Sequence, residues 1–144
     1  MQLQLWYRVL FLLLQCRSFM IILNYAHPLT DAILDQITAT VGAAPEVRMI
    51  DTQTDRLRPM ADVAAELADA AQLSPVEWQT LSLLVNPPWL APLTVALTAE
   101  IHGRMGHFPT ILNIRPVLDS VPTRYELGEL VNLDHIRKQA RTRR

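Results

Sequence analysis

The sequence predicts an α/β fold: one mostly parallel sheet with helices on both faces. Three observations predict it. Continuous apolar runs at residues 20–26 and 81–85 alternate with amphipathic stretches, as strands buried on both faces alternate with the helices that cover them. Helix-start signals stand at the joins, Thr30 at one and Ser74-Pro75-Val76-Glu77 at another. Finally, 144 residues with 50% hydrophobic content suffice for one domain with its own core.

The elements follow in order. Residues 20–26 form the first strand, and Pro28 ends it. Thr30 caps a helix through Val41, with Asp31 in its first turn, Ile33, Leu34, Ile37 and Val41 on one face, and Gly42 closing it. Residues 46–50 are the second strand, with Asp51 and Thr52 just past its end. Residues 61–73 are the second helix, with Val63, Leu67 and Ala71 four apart. Ser74 can cap the Glu77 amide, Pro75 suits the first helical position, and Glu77 can reach back. That helix is short, because 81–85 is the next buried strand and Asn86-Pro87-Pro88 stops it. A third long helix runs from near Leu90 to His102, with Leu93, Leu97 and Ile101 aligned, and Gly103 and Gly106 unwind it. Residues 110–114 are the fourth strand, and 125–131 are a further one, weakened by Gly128. Asn132 caps a final basic helix, whose charges read as a solvated face. Alternation of this kind implies right-handed crossovers.

Residues 1–19 stand apart. Their apolar run is short, is followed by Gln15-Cys16-Arg17, and is interrupted by charge. A membrane span needs about 20 mostly apolar residues, and a secretory signal needs small residues at its cleavage site. Met20 is therefore the expected start of a single domain, 20–144, with 1–19 an extension from an upstream start codon.

The net charge of −1 lacks the field of cations that tight binding to long nucleic acid requires. Twelve Arg stand against one Lys, Lys138. Arg suits forked recognition of phosphate, although scattered Arg also follow from a GC-rich genome. The lone Cys16 cannot form an internal disulfide, which points to a reducing, cytoplasmic setting. The four histidines have no metal-ligand spacing, so neither a metal nor another cofactor is expected.

In open α/β sheets, ligands bind beyond the carboxyl ends of the strands. Three segments reach that edge: Asn24, Tyr25, Ala26, His27 and Pro28; Asp51 and Thr52; and Asn86, Pro87, Pro88 and Trp89. The first and third make up the candidate ligand-binding set. Asn24 and Asn86 offer both donors and acceptors. Tyr25 and Trp89 have flat faces on which a nucleobase can stack. His27 can donate to a phosphate or move a proton, which makes it the candidate catalytic residue. Each has a plainer reading: His27 a turn residue, Tyr25 and Trp89 packing, Asn86-Pro87-Pro88 a rigid loop. Neither Gly-x-Gly-x-x-Gly nor a Walker loop is present, which disfavours ordinary dinucleotide and nucleoside-triphosphate sites. The stretch His102-Gly103-Arg104-Met105-Gly106-His107-Phe108-Pro109 joins a helix end to a strand start, at the opposite edge. There Arg104 can hold helix C-terminal carbonyls, in a structural or subunit-contact role.

The Met20-Ile21-Ile22-Leu23-Asn24 opening, His27-Pro28-Leu29-Thr30, the stretch from Ser74 through Trp78 to Leu81, Asn86-Pro87-Pro88 and the His102 to Pro109 stretch together carry a resemblance. It covers residues 20–144. The chain resembles the small single-domain CRISPR-associated proteins found beside type III systems, a family related to the CARF (CRISPR-associated Rossmann fold) superfamily and predicted as ring nucleases. The resemblance implies a Rossmann-like, CARF-like domain. It also implies a cyclic oligoadenylate ligand, most simply cyclic tetra-adenylate, the second messenger of type III immunity. A homodimer follows, since a two-fold symmetric ring is naturally held across a two-fold axis, with higher assembly on ligand binding open. Ring nucleases of this kind need no metal and cleave through attack of a ribose 2′-hydroxyl. CARF-type sites commonly place Ser, Thr, Lys or Arg near the ring. Here the first-strand exit offers Asn24, Tyr25 and His27, with Arg115 after the fourth strand as the cation of the crevice. Ring cleavage and simple sequestration both stay open, and both damp the signal. The alternative from another class is a non-catalytic, protein-binding or regulatory CRISPR subunit acting through the His102 to Pro109 edge.

Overall fold

The computed structural model describes residues 19–144, so the expected extension lies, Phe19 apart, outside the described residues. The elements are β1 (Met20–Asn24), α1 (Asp31–Val41), β2 (Glu46–Met49), α2 (Met60–Asp69), α3 (Pro75–Thr80), β3 (Ser82–Asn86), α4 (Ala91–Met105), β4 (Thr110–Pro116), β5 (Tyr125–Asn132) and α5 (Leu133–Arg141). The five strands form one sheet in the order β2-β1-β3-β4-β5. The first four are parallel, and β5 runs antiparallel to β4.

Alternation along the strands sends their side chains into two cores. Ile21, Leu23, Leu83 and Val85 pack beneath α2, α3 and α4 with Val63, Leu67, Trp78, Leu93 and Leu97. Ile22, Leu84 and Leu112 face α1 through Ile33 and Ile37. Helices therefore cover both faces of the sheet, α2, α3 and α4 on one and α1 on the other. Among the described residues, no helix is long and apolar enough to cross a membrane.

The caps act as the sequence predicts. Thr30 accepts from the Ile33 amide, and Gly42 closes α1 at φ 84°, a left-handed conformation that costs glycine little. Ser74 and Glu77 form a complete capping box around Pro75. Several expectations are revised: the first strand ends at Asn24, short of Ala26, the second at Met49, and the fourth runs on to Pro116. Helix α2 stops at Asp69, and its last carbonyls are taken by tighter turns, Ala71 N–H to Ala68 and Gln72 N–H to Asp69. Helix α4 continues through Gly103 to Met105, because one glycine inside a helix costs only about 1 kcal/mol. Gly106 alone, at φ 81°, ends it. Gly128 does not weaken β5 but supplies its bulge: Asn113 pairs with Glu129 and Ile114 with Leu127, which leaves Gly128 as the extra residue.

Candidate functional site

The chain passes from β1 to β2 on one side of the sheet and then to β3 on the other side of β1. The β1 and β3 exits are therefore neighbours at a topological switch point, where open α/β sheets bind ligands. Their last residues are Asn24 and Asn86, paired in register and buried at 0% and 6% exposure.

Buried carboxamides need partners, and these two find them largely in each other and the adjoining turn. Asn86 Nδ2 donates to Asn24 Oδ1 at 2.9 Å. The same oxygen accepts from the Ala26 amide at 3.0 Å. Asn24 Nδ2 donates to the His27 carbonyl at 3.0 Å and contacts Met49 Sδ at 3.0 Å. One side chain thus ties together the ends of β1, β2 and β3 and folds residues 25–27 into a tight turn. This corrects the expectation for Asn24. It is a brace beneath the site, with no exposed surface to give a ligand.

Tyr25 is corrected for the same reason. Strand alternation continues one residue past β1 and drives its ring into the larger core at 0% exposure. Its hydroxyl donates to the Leu67 carbonyl at 3.3 Å. Burial raises its pKa well above the ordinary phenol value, and the positive charge of Arg104 only partly opposes this. The ring closes the floor of a cleft but offers no face for stacking.

His27 and Trp89 emerge where the turn and the Pro87-Pro88 loop leave the sheet. Trp89 is 72% exposed, unusual for so large an apolar ring. Its centroid lies 6.2 Å from that of His27, with the ring planes at 48°. The His27 ring nitrogens make no hydrogen bond to another described residue, so no described residue orients the imidazole as a general base would be oriented. Pro88 is buried, and its carbonyl accepts from Thr94 Oγ1 at 2.6 Å, fixing the loop to the first turn of α4.

Ala26, His27, Pro88 and Trp89 form a ridge with a cleft on each side. The first, of about 1070 Å³, extends over the β2 exit and includes Met49, Asp51, Thr52 and Arg56. The second, of about 620 Å³, runs over Pro28, Asn86 and Pro87 toward Asn113 and Tyr125 of the β4–β5 hairpin. The expected residues Ala26, His27, Pro28, Asn86, Pro87, Pro88 and Trp89 thus all line a cleft, Tyr25 contributes floor, and Asn24 lines neither.

Sequence reasoning missed Arg56 and chose the wrong cation. Arg115 lies within β4, its stem packed over Gly128 and its guanidinium paired with Glu126 at 2.9 Å, and it lines neither cleft. Arg56 lies in the loop between β2 and α2 and makes no ion pair with another described residue, whereas nearby Arg58 is taken by Glu66. The signal was available: any loop leaving the carboxyl end of β2 must reach this edge. At the opposite edge, Arg104 joins α4 to α2, bonding Asp69 at 2.7 Å, Glu100 at 2.8 Å and the Ala65 carbonyl at 3.3 Å. It also lies 5.8 Å from the centroid of Trp78. Among the described residues, no group of three or more His, Cys, Asp or Glu is placed to hold a metal ion. No family model matches the chain, and neither does any curated protein or solved structure.

Proposed function

We propose that this chain is a Rossmann-like, CARF-type domain that binds a cyclic oligoadenylate across a homodimer axis and lowers the free messenger by holding it. The observation that carries this reading is Trp89, exposed at the switch point as the wall between two clefts. An exposed indole beside such clefts is a stacking platform for a base, and both volumes lie on the scale of ligand sites. Cyclic tetra-adenylate is the ring to which the resemblance of residues 20–144 points. A two-fold axis through the ring would give each protomer half of it.

Holding is favoured over cutting because of what the ridge lacks. Cleavage by a ribose 2′-hydroxyl needs an in-line geometry, a route for the proton and donors at the developing oxyanion. Here the His27 ring nitrogens bond to no other described residue, and Asn24 is consumed by the brace. The alternative of a protein-binding subunit rests on the His102 to Pro109 edge, and Arg104 of that edge is already engaged within the chain.

Incubation with substoichiometric and excess cyclic tetra-adenylate, without metal, tests the proposal. Intact ring recovered at one per dimer is the expected result. Trp89→Ala should weaken binding by roughly 5- to 150-fold, the equivalent of one lost stack, while leaving the melting temperature unchanged. Multiple turnover to linear products, abolished by His27→Ala, would overturn holding in favour of cleavage. Absence of binding would overturn both.

A further inference from the structure

Charge is divided along the chain. Residues 19–132 hold six cations and thirteen anions, a balance of −7. Residues 133–144 hold five cations, Arg137, Lys138, Arg141, Arg143 and Arg144, against Asp134 alone, a balance of +4. The near-zero total is thus an average over two unlike surfaces, and one helix gathers the cations that the total conceals.

Helix α5 is held at its base. Asn132 Oδ1 accepts from the His135 amide at 2.9 Å, and the Leu133 amide donates to the Pro109 carbonyl at 3.3 Å. No residue of the helix is buried, and residues 135–144 are all exposed. Asn132 pairs with Thr110, the first residue of β4. The helix therefore leaves the sheet at the amino ends of the parallel strands, across the fold from the clefts. Arg137 and Lys138 share Asp134, at 3.2 and 2.8 Å. Arg141, Arg143 and Arg144 make no ion pair with another described residue, whereas Arg48, Arg58, Arg104 and Arg115 each meet a carboxylate. The helix macrodipole rewards cations within the last turn only, which does not account for a run of five.

The chemistry of the run points to its partner. Four of the five cations are Arg, whose planar fork matches phosphate oxygens. Arg137 and Arg141 stand one turn apart on one face, about 6 Å along the axis, with Lys138 beside them. The charge is therefore a stripe, suited to a repeating anion. No aromatic residue stands among 133–144, so the stacking platform that single strands use is missing. An anionic membrane fits less well. Interfacial helices bury a broad face of Trp, Phe and Leu, and here only Ile136 and Ala140 are exposed, with Leu133 half-buried at the base.

We infer that α5 and the residues after it form a docking surface for the phosphate backbone of duplex nucleic acid, bound through charge and without reading of sequence. The surface lies away from the clefts, so it stands or falls independently of the messenger reading.

Fluorescence anisotropy of the full chain with labelled duplex DNA, duplex RNA and single-stranded RNA of one length, over a range of salt concentrations, tests the inference. The two duplexes should bind alike, with Kd of about 10⁻⁴–10⁻⁶ M near physiological salt and a slope of log affinity against log salt of about −3. Replacing Arg141, Arg143 and Arg144 together by Ala should weaken binding at low salt by at least about tenfold and remove most of the slope, about one unit for each cation. Replacing the same three by Lys should keep the slope. Arg124→Ala, which removes an exposed cation at the opposite edge, should leave it unchanged. All these variants should keep the wild-type melting temperature. Absence of duplex binding at low salt, or full binding by the triple Ala variant, would overturn the inference. So would a preference of about tenfold or more for the single strand, which is the signature of stacking. Tighter retention on phosphatidylserine-containing vesicles than on either duplex would assign the helix to a membrane surface instead.

Discussion

Replacing Asn24 by Ala removes the brace at the switch point, and the structure sets the size of the effect. Three good hydrogen bonds disappear: from Asn86 Nδ2 at 2.9 Å, from the Ala26 amide at 3.0 Å and to the His27 carbonyl at 3.0 Å. The Asn86 side chain is 6% exposed, so its stranded amino group carries most of the cost of an unsatisfied buried donor, about 1–3 kcal/mol. Ala26 and His27 lie nearer solvent, where water can replace the lost partner, and contribute about 0.5–1 kcal/mol each. The sum is about 3 kcal/mol, a fall in melting temperature of about 10 °C for a domain of this size. Thermal unfolding followed by circular dichroism measures it, with Asn86→Ala and the double variant completing a cycle. Because Asn24 and Asn86 share a bond, the double variant should lose less than the sum of the singles, by about 1 kcal/mol. Strict additivity, or a fall of less than about 3 °C for Asn24→Ala, would refute the brace. Asn24→Asp adds a pH signature. It puts a carboxyl in a site with no exposure and turns an acceptor toward the His27 carbonyl, so the folded-state pKa rises. The native state then holds a proton that the unfolded chain has released, and stability falls as pH rises. The variant should approach wild-type stability below about pH 4 and be weakest at neutral pH.

Two further outcomes follow from contacts elsewhere in the fold. Arg104→Ala should lower stability by about 1–2 kcal/mol, mainly through the Ala65 carbonyl and the Trp78 ring, since the exposed Asp69 partner contributes little; an unchanged urea midpoint would return Arg104 to a surface role. Donation from the Ser74 backbone amide, with the Ser74 side chain second, holds the Glu77 carboxyl below the ordinary carboxylate range. Its contribution is therefore present at neutral pH and lost as pH falls through that lowered value. Glu77→Gln should be less stable than wild type at pH 7 but should converge with it near pH 3, and a constant gap in denaturant midpoint across that range would contradict the capping role.

Much of this architecture is legible in the chain because local signals agree with one another. Thr30 with Gly42 brackets α1, and Ser74, Pro75 and Glu77 start α3. The apolar runs ending in Asn24 and Asn86 find each other as adjacent parallel strands. What the chain conceals is direction. Asn24 and Tyr25 are neighbours, yet one is turned into a hydrogen-bonded brace and the other into the core. That depends on which residue is the last in register with β3, and a one-residue difference exchanges the faces. Trp89 is hidden for the opposite reason: large aromatics are usually buried, and only the stiff Pro87-Pro88 turn before it puts this one outside. Arg56 escaped notice because its loop carries no motif, and only the topology brings it beside the ridge.

The brace bears directly on what the site can do. A site that cuts a ring must hold reacting atoms and proton carriers in a fixed relation, and the fixed polar groups here are Asn24 and Asn86, beneath the surface. Above them the ridge presents an indole and an imidazole at 48°, neither hydrogen-bonded to another described residue. The rigid part of the site thus supports shape and the orientation of one carboxamide, whereas the groups capable of proton transfer have no positioning partner among the described residues. Rigid walls, an exposed aromatic face and a guanidinium with no ion pair among the described residues favour affinity; catalysis asks in addition for preorganised charge at the reacting centre. Under the proposed function, affinity alone would suffice to lower a messenger at high protein concentration. The geometry at β1 and β3 fits that mode of action.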